Sequence, residues 1–341
     1  MKIGVLTGGG DSPAINAAIR AIVYESHKFD FELRGIRNGW AGLVNGDISP
    51  LSLDMIENIL TKSGTILGTS RTNPFKINAV EKVSENFKKA GLDALIAIGG
   101  DDTLGVLHKL HHIEQPINGV GIPQTIDNDI IGTDYAIGFD TAMTSATDAV
   151  DKLRTTAESH HRVMVLEVMG RDAGHIALRA GVAGGAHLIL VPEEDFDMDE
   201  VCDFLKKRKA SGKTFSVVIV AEGAKPTGGA QIIAEEKKDQ FGHVMLGGIG
   251  GYLAGEIERC TQIESRVTIL GHLQRGGIPT AFDRFMATRF GVEAVKMVER
   301  GAYDQMVALK GKDLTAVDLG EGLAENKPIN MELYHQVRTL E

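Results

Sequence analysis

Three short segments carry the side chains best suited to chemistry. The first is Pro123-Gln124-Thr125-Ile126-Asp127-Asn128-Asp129. In an extended chain Thr125, Asp127 and Asp129 share one side, and Ile126 and Asn128 take the other. Of such polar groups, one can accept a substrate hydroxyl proton as a general base while another supports metal-bound water. The second segment is Gly99-Gly100-Asp101-Asp102-Thr103-Leu104-Gly105. Two carboxylates here sit on a glycine turn that opens a helix. Alone they would repel a phosphate, so they either cap the helix or hold a divalent cation. Mg²⁺ binds in this way, through one or two carboxylates plus substrate phosphate oxygens. The third is Thr7-Gly8-Gly9-Gly10-Asp11-Ser12-Pro13. Asp11 or Ser12 could cap a following helix with Pro13 in its first turn, leaving N–H groups for an anion. A tight turn with no ligand is the other reading. Neither Gly-Lys-Ser/Thr nor Gly-x-Gly-x-x-Gly is present in this turn, so it is neither a Walker loop nor a dinucleotide fingerprint.

Cations recur further along. Met169-Gly170-Arg171, Glu222-Gly223 and Gly271-His272-Leu273-Gln274-Arg275-Gly276-Gly277 each follow an apolar run, and Arg162 and Arg266 precede two of those runs. Arginine suits bidentate phosphate recognition. His187, His160 and His161 read as structural or surface residues, whereas His272 sits inside a Gly/Arg turn.

The elements that position these turns follow a regular alternation. Ile3–Thr7, Leu33–Ile36, Ala94–Ile98, Val120–Ile122, Val163–Val168, Leu188–Val191, Ser216–Val220 and Val267–Leu270 read as buried parallel strands. Asp11–Glu25, Asn78–Ala90, Thr141–Thr155, Ala173–Ala183, Asp199–Ala210, Leu246–Cys260 and Phe282–Arg300 carry helical patterns between them. This predicts an α/β protein of two doubly wound lobes with mainly parallel sheets. The first lobe spans 1–140 and the second 141–300, with the segment from about 300 to 341 able to return to the first. Ligands in such folds lie beyond the carboxyl ends of the strands.

Composition narrows the function. The 341 residues are 43% hydrophobic and 24% charged, with 41 glycines against 9 prolines. Lys and Arg number 36 and Asp and Glu 46, a net charge of −10, which argues against binding a nucleic-acid backbone. No run approaches the ~18 apolar residues of a membrane span, and Met1-Lys2 leads into a short apolar strand. Neither secretion nor membrane insertion is therefore expected. With Cys202 and Cys260 alone, a disulfide framework or thiolate zinc site is not expected, and a reducing cytoplasm fits.

Together Thr7–Asn16, Gly99–Gly105, Pro123–Asp129, Val168–Arg171 and Gly271–Gly277 resemble the 6-phosphofructokinases, and Leu67–Lys76 resembles the branch containing pyrophosphate- and ATP-dependent members. The resemblance implies a glycolytic, Mg²⁺-dependent transfer of phosphate to the 1-hydroxyl of fructose 6-phosphate. It makes the first lobe the donor and Mg²⁺ side and the second the sugar-phosphate side. It implies that Gly9, Arg71, Asp102, Thr103 and Gln124 face the phosphoryl donor and that Asp101 and Asp129 serve the metal. Asp127 would be the base, with Thr125 and Arg171 beside the transferring group. Met169, Gly170, Arg171, Glu222, His272 and Arg275 would grip the sugar phosphate. Arg162 and Arg266 would reach into a neighbouring subunit's pocket, making the protein a homo-oligomer. Asp102 matches the pyrophosphate users; Gln124 departs from their Lys. Pyrophosphate is the expected donor, which makes the reaction reversible, and ATP is the alternative. A catalytically silent sugar-phosphate-binding subunit is the reading of another class. Arg20 is followed by Tyr24 rather than a second cation, so strong nucleotide regulation is not expected.

Overall fold

The computed structural model describes residues 1–229, 233–238 and 244–339. The chain begins β1 (Lys2–Thr7), α1 (Ile15–Lys28), β2 (Glu32–Ile36), α2 (Trp40–Asn45), β3 (Ile48–Pro50) and α3 (Val80–Lys89). It continues through β4 (Ala94–Gly99), α4 (Asp101–His111), β5 (Gly119–Pro123), α5 (Phe139–His160), β6 (Val163–Val168) and α6 (His175–Gly184). Next come β7 (Leu188–Leu190), α7 (Met198–Ala210), β8 (Ser216–Ala221), β9 (Ile233–Lys238), β10 (Val244–Leu246) and α8 (Ile249–Thr261). β11 (Ser265–Ile269), α9 (Ala281–Glu299), β12 (Gln305–Lys310), β13 (Asp313–Asp318), α10 (Leu319–Gly322) and α11 (Met331–Val337) complete it. Each of the eight expected strands is present, and the α/β class is borne out.

The chain divides into two compact units, Met1–Ile126 with Ile130–Thr141 and Arg275–Asn326, and Asp127–Asp129 with Ala142–Gln274 and Lys327–Glu341. The first is built on a sheet of order β13-β12-β5-β4-β1-β2-β3, parallel except for its two edge strands. Leu6, Leu95 and Ala97 face a core made with Trp40, Leu104 and Leu107. Alternation turns the fully buried Val5, Ile96 and Ile98 to the opposite face, where α9 packs on β4 and β5 and against α1. The hairpin of β12 and β13 extends this sheet on the side of β5.

The second unit centres on the parallel sheet β11-β6-β8-β7. Val163, Val165, Val218 and Val220 pack on Val201 and Leu205 of α7 and on Leu253 and Ile257 of α8. α6 covers the other face, close against Ile189 and Ile219. Packing α7 beside α8 brings Cys202 and Cys260 to a Cα–Cα distance of 6.1 Å, and the two are joined in a disulfide. This corrects the expectation from cysteine count, because two helices side by side on one sheet face can seat a single bridge without a framework. Among the described residues no helix is long and apolar enough to cross a membrane.

Candidate active site

In the first unit the carboxyl ends of β5, β4 and β1 lie side by side. Gly99 pairs with Pro123, the Gln124 N–H donates to Gly99 O at 2.9 Å, and the Gly8 N–H donates to Ile98 O at 3.0 Å. The acidic turn and the Thr125 turn therefore begin next to each other. The Gln124 side chain is 1% exposed and donates from Nε2 to Gly10 O at 3.1 Å, tying the β5 end to the first glycine turn. Gln124 Oε1 and Thr103 Oγ1 are buried with no hydrogen-bond partner among the described residues. Such atoms cost about 1–3 kcal/mol each. A ligand or water that reached either atom would recover that cost.

The first glycine turn differs from its expected form. Ala14, at φ +71°, delays the start of α1 to Ile15 and makes no side-chain cap, so neither Asp11 nor Ser12 is the capping residue. Ser12 Oγ instead donates to Pro13 O and Ile137 O, each at 3.2 Å. The Gly9 N–H is spent on Ser70 O at 3.0 Å, and Thr69 Oγ1 donates to Gly9 O at 2.7 Å. With Thr7 Oγ1 donating to Gly68 O at 2.7 Å, these bonds dock the loop that carries the exposed Arg71 onto the end of β1. Arg275 also belongs here: its Nη1 donates to Asp11 O at 3.0 Å. Gly10 leaves room for this guanidinium, which a Cβ there would push aside.

Gly100 is the N-cap of α4 and uses no side-chain bond, so Asp101 and Asp102 occupy the first helical turn rather than the cap. Negative charge is favourable there. Asp101 is exposed and Asp102 half-buried, and both line a cavity of about 190 Å³ with Asn73, Gly105, Val106, Lys109 and Leu323. Asn73 and Lys109 carried no signal in the sequence.

Along the Thr125–Asp129 segment burial alternates. Thr125, Asp127 and Asp129 are half-buried, while Ile126 and Asn128 are 0% and 1% exposed. Asn128 adopts φ +55°, so the run bends as it leaves β5. In the second unit the Lys327 N–H donates to Asp129 O at 2.6 Å, and His175 bonds Lys327 O through Nε2 at 2.9 Å. Burial lowers the His175 pKa to about 4, so the neutral ring donates its Nε2–H to that carbonyl. This brace was missed because nothing in the last forty residues forms a motif.

The ends of β6 and β8 are likewise adjacent, with Val168 paired to Ala221. Arg171 takes φ +54°, a conformation uncommon for a residue with a Cβ. Its N–H donates to Glu222 Oε1 at 3.2 Å. Its carbonyl lies where a Cβ on Gly223 would stand, so Gly223 makes room for the turn. Backbone of this kind persists where surrounding structure holds it, as at ligand sites. Met169 and Gly170 complete the turn, and His272 is exposed in the segment after β11. Arg162 Nε donates to Glu264 Oε2 at 2.6 Å, and Arg266 Nη2 contacts Glu264 Oε1. The hydrogen bond from Arg162 holds the Glu264 carboxyl below its ordinary range. Glu264 thus gathers both arginines, a role invisible until β6 and β11 are paired. The Arg20 guanidinium lies over the Tyr24 ring at 4.7 Å from its centroid.

The phosphofructokinase family model matches residues 2–298. The pyrophosphate–fructose 6-phosphate 1-phosphotransferase of Amycolatopsis methanolica is 53% identical, over 98% of each chain. The ATP-dependent 6-phosphofructokinase 3 of Streptomyces coelicolor is 47% identical, over 96% of each chain. The crystal structure of a pyrophosphate-dependent phosphofructokinase from Nitrosospira multiformis superposes with a TM-score of 0.84 at 22% identity, over 96% of this chain and 86% of that one, and shares the fold. Strand-end carboxylates, an arginine turn braced by Glu222, full-length relatives and a common architecture converge on one conclusion: the chain belongs to the phosphofructokinase family.

Proposed function

We propose that this chain transfers the terminal phosphoryl group of pyrophosphate to the 1-hydroxyl of fructose 6-phosphate. The products are fructose 1,6-bisphosphate and orthophosphate. Asp127 accepts the hydroxyl proton as the oxygen attacks phosphorus, and the departing phosphate takes the electron pair of the broken P–O bond. Thr125 and Arg171 face the transferring group, Arg171 supplying charge that strengthens its hydrogen bonds to phosphate. Met169, Gly170, Glu222, His272 and Arg275 hold the sugar phosphate, and Gly9, Arg71, Thr103 and Gln124 border the donor. Mg²⁺ suits the hard carboxylate oxygens of Asp101 and Asp129, and the exposed Asp101 at the mouth of the small cavity fits such an ion. When bound, the ion would screen phosphate charge.

The observation that carries the donor is Asp102. It is half-buried in the first turn of α4, where its carboxylate would repel an additional donor phosphate such as the α-phosphate of ATP. ATP is the second reading, favoured by Gln124 in place of Lys and by the 47% identical ATP-dependent relative. Both donors keep Asp127 as base. Asp127→Asn is expected to lower turnover at least about a hundredfold with little change in the KM for fructose 6-phosphate. Turnover within tenfold of wild type would remove Asp127 from that role.

A homo-oligomer belongs to the same proposal. β11 is an edge strand, and Val267 and Ile269 on it are 39% and 57% exposed, with Leu273 at 73%. An unpaired edge bearing apolar side chains is suited to cover by another copy. Arg162 and Arg266, both held by Glu264 in this chain, would exchange that partner for a neighbour's sugar phosphate. The enzyme would work in the cytoplasm with its phosphorylated substrates.

A further inference from the structure

His108 and His112 stand four residues apart, at the C-terminal end of α4, so their rings rise from the same face. Asp304 meets them from the junction between α9 and β12. His108 Nδ1 lies 2.9 Å from Asp304 Oδ1, and His112 Nε2 lies 2.9 Å from Asp304 Oδ2. One donor atom from each residue falls within 4.8 Å of the others. We propose that these three residues form a binding site for a divalent transition-metal ion of the zinc type, separate from the phosphoryl-transfer site.

The donor set decides the class of ion. Two imidazole nitrogens and one carboxylate oxygen suit Zn²⁺, Co²⁺ or Ni²⁺, whereas Mg²⁺ prefers an all-oxygen shell. Bonds of about 2.0–2.1 Å in a tetrahedral site put neighbouring ligand atoms roughly 3.3 Å apart. The two 2.9 Å contacts would have to open by a few tenths of an ångström, and the widest pair of donor atoms, within 4.8 Å, would have to close as the exposed His112 ring turns inward.

The site is also built in advance. The Asp304 side chain is 11% exposed, and its backbone is held from both sides. Its N–H donates to Gly119 O and its carbonyl accepts from Leu319 N–H, each at 3.0 Å. The His108 ring packs against Gly320, where a Cβ would come within 3.2 Å of Cε1, and lies 4.7 Å from the His112 ring. The His112 side chain is 60% exposed, which gives an ion an entry path and leaves room for water as the fourth ligand. The carbonyls at the end of α4 add partial negative charge favourable to a cation. Bound metal would clamp this end of α4 to the start of β12, while Asp101 and Asp102 occupy the opposite end of the helix.

Co²⁺ titration of the full-length protein in excess Mg²⁺, followed by visible absorption and calorimetry, tests the site. Wild type should bind one equivalent and show the intense bands of low-coordinate Co²⁺, and Zn²⁺ should displace it. His112→Ala, at an exposed position, should lower the affinity at least about tenfold while leaving phosphotransfer in Mg²⁺ unchanged. Asp304→Asn should weaken binding in the same direction. Absence of Co²⁺ binding by wild type would overturn the proposal and leave a hydrogen-bonded His–Asp cluster. Equal binding by wild type and both variants would overturn it as well, assigning the ion to other residues among the 11 histidines.

Discussion

Asp102→Gly removes one carboxylate from the first turn of α4, beside the cavity it lines with Asp101, Asn73 and Lys109. Consider an additional donor phosphate, such as the α-phosphate of ATP, at a separation of about 4 Å from that carboxylate. The repulsion between unit charges at this separation is about 1 kcal/mol in bulk water and about 4 kcal/mol at an effective dielectric near 20. Asp102 is half-buried, so the value falls between these limits. At about 1.4 kcal/mol per tenfold, kcat/KM for ATP relative to pyrophosphate should rise by roughly fivefold to a thousandfold. Glycine in the first helical turn costs up to about 1 kcal/mol, which the thermal midpoint reveals separately. Asp102→Asn divides the effect: it removes the charge and keeps the bulk. An asparagine variant matching the glycine variant would assign the discrimination to charge, and one matching wild type would assign it to space. The assay is steady-state kinetics with each donor at matched free Mg²⁺. A change in the donor ratio below about threefold in both variants would refute the role given to Asp102.

Asp283→Ala should destabilise the protein by about 3–5 kcal/mol in urea unfolding. The fully buried carboxylate accepts hydrogen bonds from Tyr135 Oη, Gly138 N, Thr141 N and Thr141 Oγ1, and all four donors would lose their partner; a loss below 1 kcal/mol would contradict this. Acidification should also destabilise. Burial lowers the pKa of His175 and of His187 to about 4, and His187 Nδ1 accepts the Val217 N–H at 2.8 Å, which needs a neutral ring. Between pH 6.5 and 4 the unfolded imidazoles bind protons that the folded ones refuse, so stability falls as pH falls, by up to about 2 kcal/mol per histidine from pH 7 to pH 5. Denaturant curves of equal stability at both pH values would exclude the linkage. Finally, an Arg162→Ala chain mixed with an Arg171→Ala chain should recover activity, because a hybrid interface holds one undamaged pocket; verified subunit exchange without recovery would contradict a shared site.

Much of the fold was legible because parallel strands buried on both faces read as continuous apolar runs, as Ala94–Ile98 and Val163–Val168 do. The hairpin of β12 and β13 left fainter traces. Asp313–Asp318 alternates only loosely between exposed and half-buried positions, as an edge strand does, and Gly311 at φ +60° supplies the turn. The candidate site is legible where chemistry concentrates in a few adjacent residues, as at Thr125–Asp129 and Asp101–Asp102. It was illegible where position depends on distant packing. Pro13 suggested the first turn of a helix, yet Ala14 in the left-handed region moved the start to Ile15. Arg275 and His272 share one motif, but the Arg275 guanidinium folds onto Asp11 in the first unit while His272 stays with the second. The brace from Lys327 to Asp129, the convergence of two arginines on Glu264 and the Cys202–Cys260 bridge all join residues that no local pattern connects.

The donor proposed for this phosphofructokinase-family chain is pyrophosphate. The most direct measurement is the rate of fructose 1,6-bisphosphate formation by the wild-type protein with pyrophosphate and with ATP, at equal concentration and matched free Mg²⁺. A kcat/KM for pyrophosphate at least about fivefold above that for ATP is predicted, the low end of the electrostatic discrimination assigned to Asp102. Preference for ATP by a similar factor would contradict the account.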